Sequence, residues 1–259
     1  MGKTIVLAHG IFEFGHLPLI SVHYFNGIAW HLKQLNYRVL EPQVSPIGLV
    51  KTRGVELEAA IRRDVPEDEK IHIIAHSMGG LDARYALAKF PKLAKQVKTL
   101  VTIGTPHNGS PVADVVVNNT GGELYELIPW YIKRWQGGLI DLTTKAAEKF
   151  NEEIKDIEGI RYIEVAGDAA KASEGLIFFK LAQIIGNLNN GEINDGVVTR
   201  SSALREGHEH LQDWPVDHAG EIGWNHTALF RYPALITPFS QTEYRAHLAR
   251  YRAIADMLQ

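Results

Sequence analysis

The sequence predicts an α/β protein with a mostly parallel central sheet and helices on both faces, and two observations carry that expectation. Short apolar runs rich in β-branched residues alternate with segments of helical periodicity. The runs are also close to apolar throughout, not only at alternate positions, as strands covered on both faces must be. The chain has 259 residues, 45% of them hydrophobic and 22% charged, which supplies enough apolar material for one large core.

The elements follow in chain order. "TIVLAHG" (4 to 10) reads as the first strand. Residues 25 to 35 then place Phe25, Ile28, Ala29, Leu32 and Leu35 on one helical stripe. "YRVLEP" (37 to 42) is the next strand, 50 to 63 a helix, and "IHIIAHS" (71 to 77) a strand whose apolar run is nearly unbroken. Leu81, Tyr85 and Ala88 recur at helical spacing over 81 to 90, and Pro91 is expected to stop that helix. "VKTLVTIGTP" (97 to 106) and "IRYIEVAGD" (160 to 168) complete the strands. A C-terminal helix carries Tyr244, Leu248, Tyr251, Ala255 and Leu258 on one face. No Pro/Ser-rich linker and no repeat interrupts this order, so 1–259 reads as a single domain.

Residues 111–150 break the alternation. "ELYELIPWYIKRWQGGLIDL" brings Trp130, Tyr131 and Trp135 into one apolar stretch, and Gly121-Gly122 and Gly137-Gly138 bracket it. An apolar helical flap hinged at those pairs is the expectation, with the three aromatics as lid or acyl-binding candidates.

Bulk properties exclude several classes of function. A formal net charge of -3 gives no electrostatic reason to bind nucleic acid or an anionic membrane. The absence of cysteine removes disulfides, thiolate catalysis and cysteine metal ligation. No 18-residue apolar run exists, so no transmembrane segment is expected, and no basic-plus-apolar leader precedes the strand that begins at Thr4. These features read as a soluble protein without an export signal of its own.

The chemistry concentrates where the third strand meets its helix. Ala75-His76-Ser77-Met78-Gly79 has the form of a nucleophile elbow, small-x-Ser-x-Gly, in the strand-turn-helix setting that the motif requires. Small residues belong on both sides of Ser77 because strand and helix backbones approach closely there. Free serine cannot ionise at neutral pH, so an imidazole must take its proton, with an acid to orient that imidazole. The chain has 12 histidines. Those downstream of the elbow are His208, His210, His218, His226 and His247, the last of which reads as solvated. Asp195, Asp213 and Asp217 are the candidate acids, Asp195 being expected at the end of a short strand. His9, His76 and His107 read as bracing groups. Gly10, Ser77 and Gly104 all fall at carboxyl ends of strands, where such sheets place their working groups.

Several segments resemble the bacterial true lipases of the Pseudomonas, Burkholderia and Proteus type, within the α/β-hydrolase fold. They are "VLAHGIF" (6 to 12), "HYFNGIAWHLKQLNYRVLEPQVSP" (23 to 46), "AHSMGGLDARY" (75 to 85), "VTIGTPHNGS" (101 to 110), "NDGVVTRSSA" (194 to 203) and "DHAGEIG" (217 to 223). The resemblance implies Ser77 as nucleophile, Asp195 as acid, His218 as base, and the backbone N–H groups of Ile11 and Met78 as the oxyanion hole. It also implies a lid within 111–150, a lipid or ester substrate met at a lipid–water interface, and secretion. The implied activity is triacylglycerol hydrolysis. A carboxylesterase, thioesterase or polyester hydrolase would use the same triad, and a non-catalytic binding protein on this scaffold is the remote alternative. The family also carries a structural Ca²⁺ beside its histidine loop, held partly by a carboxylate two residues after the histidine. Here that residue is Gly220. No cofactor and no metal are therefore expected.

Overall fold

The structure is a computed structural model that describes residues 3–11, 23–120, 122–128, 133, 136–172, 177–225, 237–238 and 241–258. A sheet of six strands has the order β2-β1-β3-β4-β5-β6, with β1 Thr4–Ala8, β2 Arg38–Leu40, β3 Ile71–His76, β4 Val97–Ile103, β5 Arg161–Val165 and β6 Glu209–His210. Every pairing in it is parallel. Helices α1 Ile28–Gln34, α2 Val50–Asp64, α3 Met78–Lys89 and α4 Pro91–Gln96 connect the first four strands. Between β4 and β5 come α5 Pro111–Asn118, α6 Glu123–Leu127, α7 Gln136–Leu139 and α8 Thr144–Glu153. Helices α9 Ile177–Leu188 and α10 Arg200–Ala203 precede β6, and α11 Gln241–Met257 closes the chain.

Strand periodicity distributes the core to two faces. Ile5 and Leu7 of β1 join Ile28, Leu32, Tyr251 and Ile254 on the side covered by α1 and α11. Val6 and Ala8 face the other way, against Leu57 and Ile61 of α2 and Ala83, Ala86 and Leu87 of α3. Because both faces are covered, β1 and β3 are buried at every position. Full burial of a side chain such as Ile5 or Ile74 contributes about 1.5–3 kcal/mol. A third cluster joins Met78 and Leu81 of α3 to Val112 and Val116 of α5, Leu124 of α6, Leu139 of α7 and Leu181 of α9.

One sequence expectation is extended and two need correction. Pro91 does stop α3, which ends at Lys89, and it also opens α4 as its first residue, where its missing N–H costs nothing. His247 is fully buried, not solvated. It lies one turn before Tyr251 on the face that α11 buries, and its Nε2 is 3.2 Å from the Asn26 carbonyl. Asp195 ends no strand: a turn follows it, in which the N–H groups of Val197 and Val198 close onto its side chain.

Chain order and strand order diverge between β1 and β3. From β1 the chain goes outward to the edge strand β2, then returns to the opposite side of β1 as β3. The carboxyl ends of β1 and β3 therefore border the crevice that this switch opens. Helix α3 sits unusually close to that rim. A Cβ on Gly79 would strike the carbonyl oxygen of Ala8 and come within 2.7 Å of that of His9. Backbone cannot yield as a side chain does, so Gly79→Ala should cost about 1–3 kcal/mol. Scanning calorimetry should show a melting temperature lower by about 2–4 °C per kcal/mol. An unchanged melting temperature would mean that α3 does not seat on the end of β1.

Candidate active site

Ser77 occupies the turn from β3 into α3 with φ 56° and ψ -132°, a conformation L-residues avoid and hold only when neighbours impose it. Its N–H donates to the Ile103 carbonyl of β4 (2.9 Å), and its own carbonyl accepts from Thr105 Oγ1 (2.8 Å). These bonds fix the backbone, and the side chain projects over the crevice. Ser77 Oγ lies 3.0 Å from His218 Nε2, and His218 Nδ1 lies 2.7 Å from Asp195 Oδ2. With a neutral ring, Nδ1–H donates to Asp195 and Nε2 is left to accept the serine proton.

Two loops hold this line. Asp195 Oδ1 accepts the N–H groups of Val197 and Val198, both at 2.7 Å, so its second oxygen is aimed at the ring. The His218 N–H donates to the Asp195 carbonyl at 2.9 Å, joining the two loops directly. Ile11 follows Gly10, whose backbone abuts the elbow: a Cβ there would fall 2.8 Å from Ser77 Cβ. Met78 is the first residue of α3 and fully buried.

Around the histidine, the structure gathers His76, read from the sequence as a bracing group, with Glu221 and Tyr24, for which the sequence suggested no role beside the triad. Glu221 is fully buried, with Oε2 2.9 Å from His76 Nε2 and 3.4 Å from His218 Nδ1. The His76 ring packs against that of His218 with centroids 4.5 Å apart, and Tyr24 Oη lies 2.7 Å from His76 Nδ1. Burial pushes the Glu221 carboxyl above the usual range, and the charge of Asp195 adds to this. For His218, burial alone would lower the pKa, but the Asp195 carboxylate, joined by Glu221, offsets it and holds the ring above its ordinary value. Burial keeps His76 neutral, well below its usual range, with His218 acting in the same sense. A glutamate three residues beyond the histidine was the one signal for Glu221 in the sequence.

The remaining candidates lie elsewhere. Asp217 Oδ1 takes the Gly220 N–H at 2.7 Å, while burial raises its pKa to about 6. Asp213 pairs with Arg200 at 2.8 Å. His208 bonds Asp156 at 3.0 Å, and His210 meets the Arg205 carbonyl at 2.7 Å. His107 is buried between Thr102 Oγ1 and Arg84. His226, Trp130, Tyr131 and Trp135 lie outside the described residues.

Comparisons with known proteins point to one kind of chemistry. A family described as the PGAP1-like alpha/beta domain matches residues 51–170. The triacylglycerol lipase 2 of Saccharomyces cerevisiae is 29% identical over 80% of this chain and 64% of its own length. A triacylglycerol lipase of Vibrio cholerae is 28% identical over 96% of this chain and 87% of its own. One from Pseudomonas fragi is 34% identical over 42% of this chain and 36% of its own. The chain thus spans less than two-thirds of the yeast relative. Among solved structures, the mature Bacillus licheniformis lipase BlEst2 superposes with a TM-score of 0.70 at 22% identity, covering 88% of each chain. That likeness establishes the fold as that of the α/β-hydrolases.

The calcium site of the resembled family does not fit these residues. Gly220 offers no carboxylate, and Glu221 is turned toward His76 and His218. Asp168 is already neutralised by Lys171 at 2.8 Å and caps Ala170 with its other oxygen. His76, His218 and Glu221 do bring three ligand atoms together, but those atoms belong to the hydrogen bonds just described. Calcium needs six to eight oxygens with several carboxylate charges. Melting curves in EDTA and in millimolar Ca²⁺ should therefore coincide. A shift of several degrees between them would reveal an ion linked to folding.

Proposed function

We propose that this α/β-hydrolase, akin to the bacterial true lipases, is a serine ester hydrolase that cleaves triacylglycerols through an acyl-enzyme on Ser77. The observation that carries this is the line from Ser77 Oγ through His218 to Asp195, with links of 3.0 and 2.7 Å. His218 Nε2 takes the serine proton as Oγ bonds to the ester carbonyl carbon. The carbonyl oxygen becomes an oxyanion that accepts from the Ile11 and Met78 N–H groups. Collapse breaks the bond to the alcohol oxygen, which leaves with the proton from His218. Water then enters by the same route, its proton passing to His218, and the fatty acid departs as Ser77 recovers its hydrogen.

The lipid substrate rests on kinship with proteins named as triacylglycerol lipases and on apolar surroundings. Met78, Leu81, Val112, Leu124 and Leu139 form one cluster beside the elbow, suited to line the path of an acyl chain. Residues 111–150 act in this reading as a lid within a single 1–259 domain, with contact at a lipid–water interface opening it. Gly122 and Gly137 stand clear of neighbours, as hinge points should. Among the described residues, no helix is long and apolar enough to cross a membrane.

Two measurements check the chemistry and one the lid. A phosphonate ester should label Ser77 in a one-to-one adduct, and Ser77→Ala should lose on the order of 10⁶-fold in kcat; labelling of a different residue overturns the assignment. Asp195→Asn should cost ~10⁴-fold in kcat, while Asp217→Asn leaves turnover near that of the parent. Because the Asp195 charge raises His218, the acid limb of kcat/KM should also move to lower pH in Asp195→Asn. Rates on esters from acetyl to oleoyl, with emulsified triacylglycerol included, should rise toward long chains and jump above substrate saturation. Deleting the segment between Gly122 and Gly137 should abolish that jump, and an unchanged jump would return the segment to an ordinary core role.

A further inference from the structure

Arg53 stands outside the triad and its immediate neighbours, yet its guanidinium is fully buried. Its Nη1 donates to the Ser45 carbonyl (2.6 Å), and its Nη2 donates to the carbonyls of His9 (2.8 Å) and Gly10 (3.1 Å). Its Nε donates to Asp82 Oδ2 at 2.8 Å. Taking an ion pair out of water costs several kcal/mol per charge, so stability alone is a poor reason to keep one. Its acceptors suggest another reason. Gly10 and Ile11 share one peptide unit, and a planar trans peptide points its C=O and N–H in opposite directions. A donor that fixes the Gly10 carbonyl therefore fixes the direction of the Ile11 N–H.

The same carbonyl has a second anchor. His9 Nδ1 donates to it at 2.8 Å, while His9 Nε2 accepts the Val44 N–H at 3.1 Å, which places the ring proton on Nδ1. Asp82 adds the other half of the device. It lies on α3, whose first residue is Met78, so the ion pair ties the loop bearing Ile11 to the helix bearing Met78.

We infer that Arg53, held by Asp82 and assisted by His9, is a positioning residue that presets the oxyanion hole by clamping the Gly10 carbonyl. The inference rests on the serine ester hydrolase reading above. Its consequence is selective: the clamp serves the tetrahedral oxyanion and contributes little to ground-state binding, so its loss appears in kcat and not in KM.

The test uses variants that separate the clamp from stability. Arg53→Met combined with Asp82→Leu removes both charges at once, a replacement that buried pairs commonly tolerate. Arg53→Lys keeps the charge but loses the fork of donors. His9→Asn leaves the pair untouched and keeps the test open should neither of the others fold. For each variant that is native by circular dichroism, kcat, KM and the Ki of an alkyl boronic acid are measured. The boronate forms a tetrahedral adduct with the serine whose oxygen occupies the oxyanion position. The two Arg53 variants should lose ~10²-fold in kcat, the scale of one oxyanion donor, and His9→Asn about tenfold. KM should stay within about threefold, and the boronate Ki should weaken by the same factor as kcat. A folded variant whose kcat stays within about threefold of the parent overturns the clamp, as does a kcat loss without the matching boronate loss. If the parent protein neither hydrolyses esters nor binds the boronate, the hydrolase reading itself fails, which is a distinct outcome.

Discussion

A serine held at φ 56° is the constraint on which the rest of the molecule depends. Such a backbone costs on the order of 1–3 kcal/mol, and it persists only where the surroundings leave no alternative. Here the surroundings are the sheet itself. The Ser77 N–H is taken by the carbonyl at the end of β4, the Ser77 carbonyl by Thr105, and the first turn of α3 is pressed against the end of β1. Three neighbouring strand ends thus determine one torsion angle. The parallel sheet is a precondition of the site, because it brings the ends of β1, β3 and β4 to the same rim.

The loops beyond β5 have the opposite character. They carry no strand periodicity and are organised by polar bonds. Asp195 gathers two N–H groups with one oxygen and keeps the other for His218. Glu221 then presents a second carboxyl to the same ring. Two carboxylates beside one imidazole would tie its proton down too strongly for a base. Burial eases this conflict by pushing Glu221 toward its protonated form, so that Asp195 carries the charge facing the ring. The neutral His76 between Tyr24 and Glu221 adds no further charge and holds the second carboxyl in place.

How much of this was legible in the sequence follows from the range of each interaction. Strands buried on both faces must be written as apolar runs, so β1 and β3 could be read directly. The elbow could be read because close backbone approach demands small residues at fixed offsets. Asp195 and His218 came from resemblance to known lipases, since loops of this kind follow no period. Glu221, Tyr24 and Arg53 were not legible, because a polar residue is buried only when its partner is present. Those partners are remote: Glu221 meets His76 across 145 residues, and Arg53 meets Asp82 across 29. His247 failed for the same reason, its partner being the Asn26 carbonyl 221 residues away.

In the proposed function, chemistry and specificity fall to different parts of this fold. The elbow, the two polar loops and the buried pair under the oxyanion loop would act on atoms that every ester shares, so they could not distinguish a triacylglycerol from an acetate. Discrimination by acyl length requires apolar surface, at about 25 cal/mol for each Å² removed from water. Beside Ser77 that surface belongs to the cluster joining Met78 and Leu81 to the helices inserted after β4. Met78 belongs to both systems, since its N–H lies at the start of α3 while its side chain is fully buried in that cluster. A substitution at Met78 should therefore act on acyl preference through the side chain and leave the backbone donor in place. The same logic makes Ile11 a second point of contact, because its side chain packs against the cluster while its N–H belongs to the peptide anchored by Arg53. If the proposed ester hydrolysis holds, acyl binding and the oxyanion hole would be coupled through the backbone, at two residues whose main chains and side chains serve different ends.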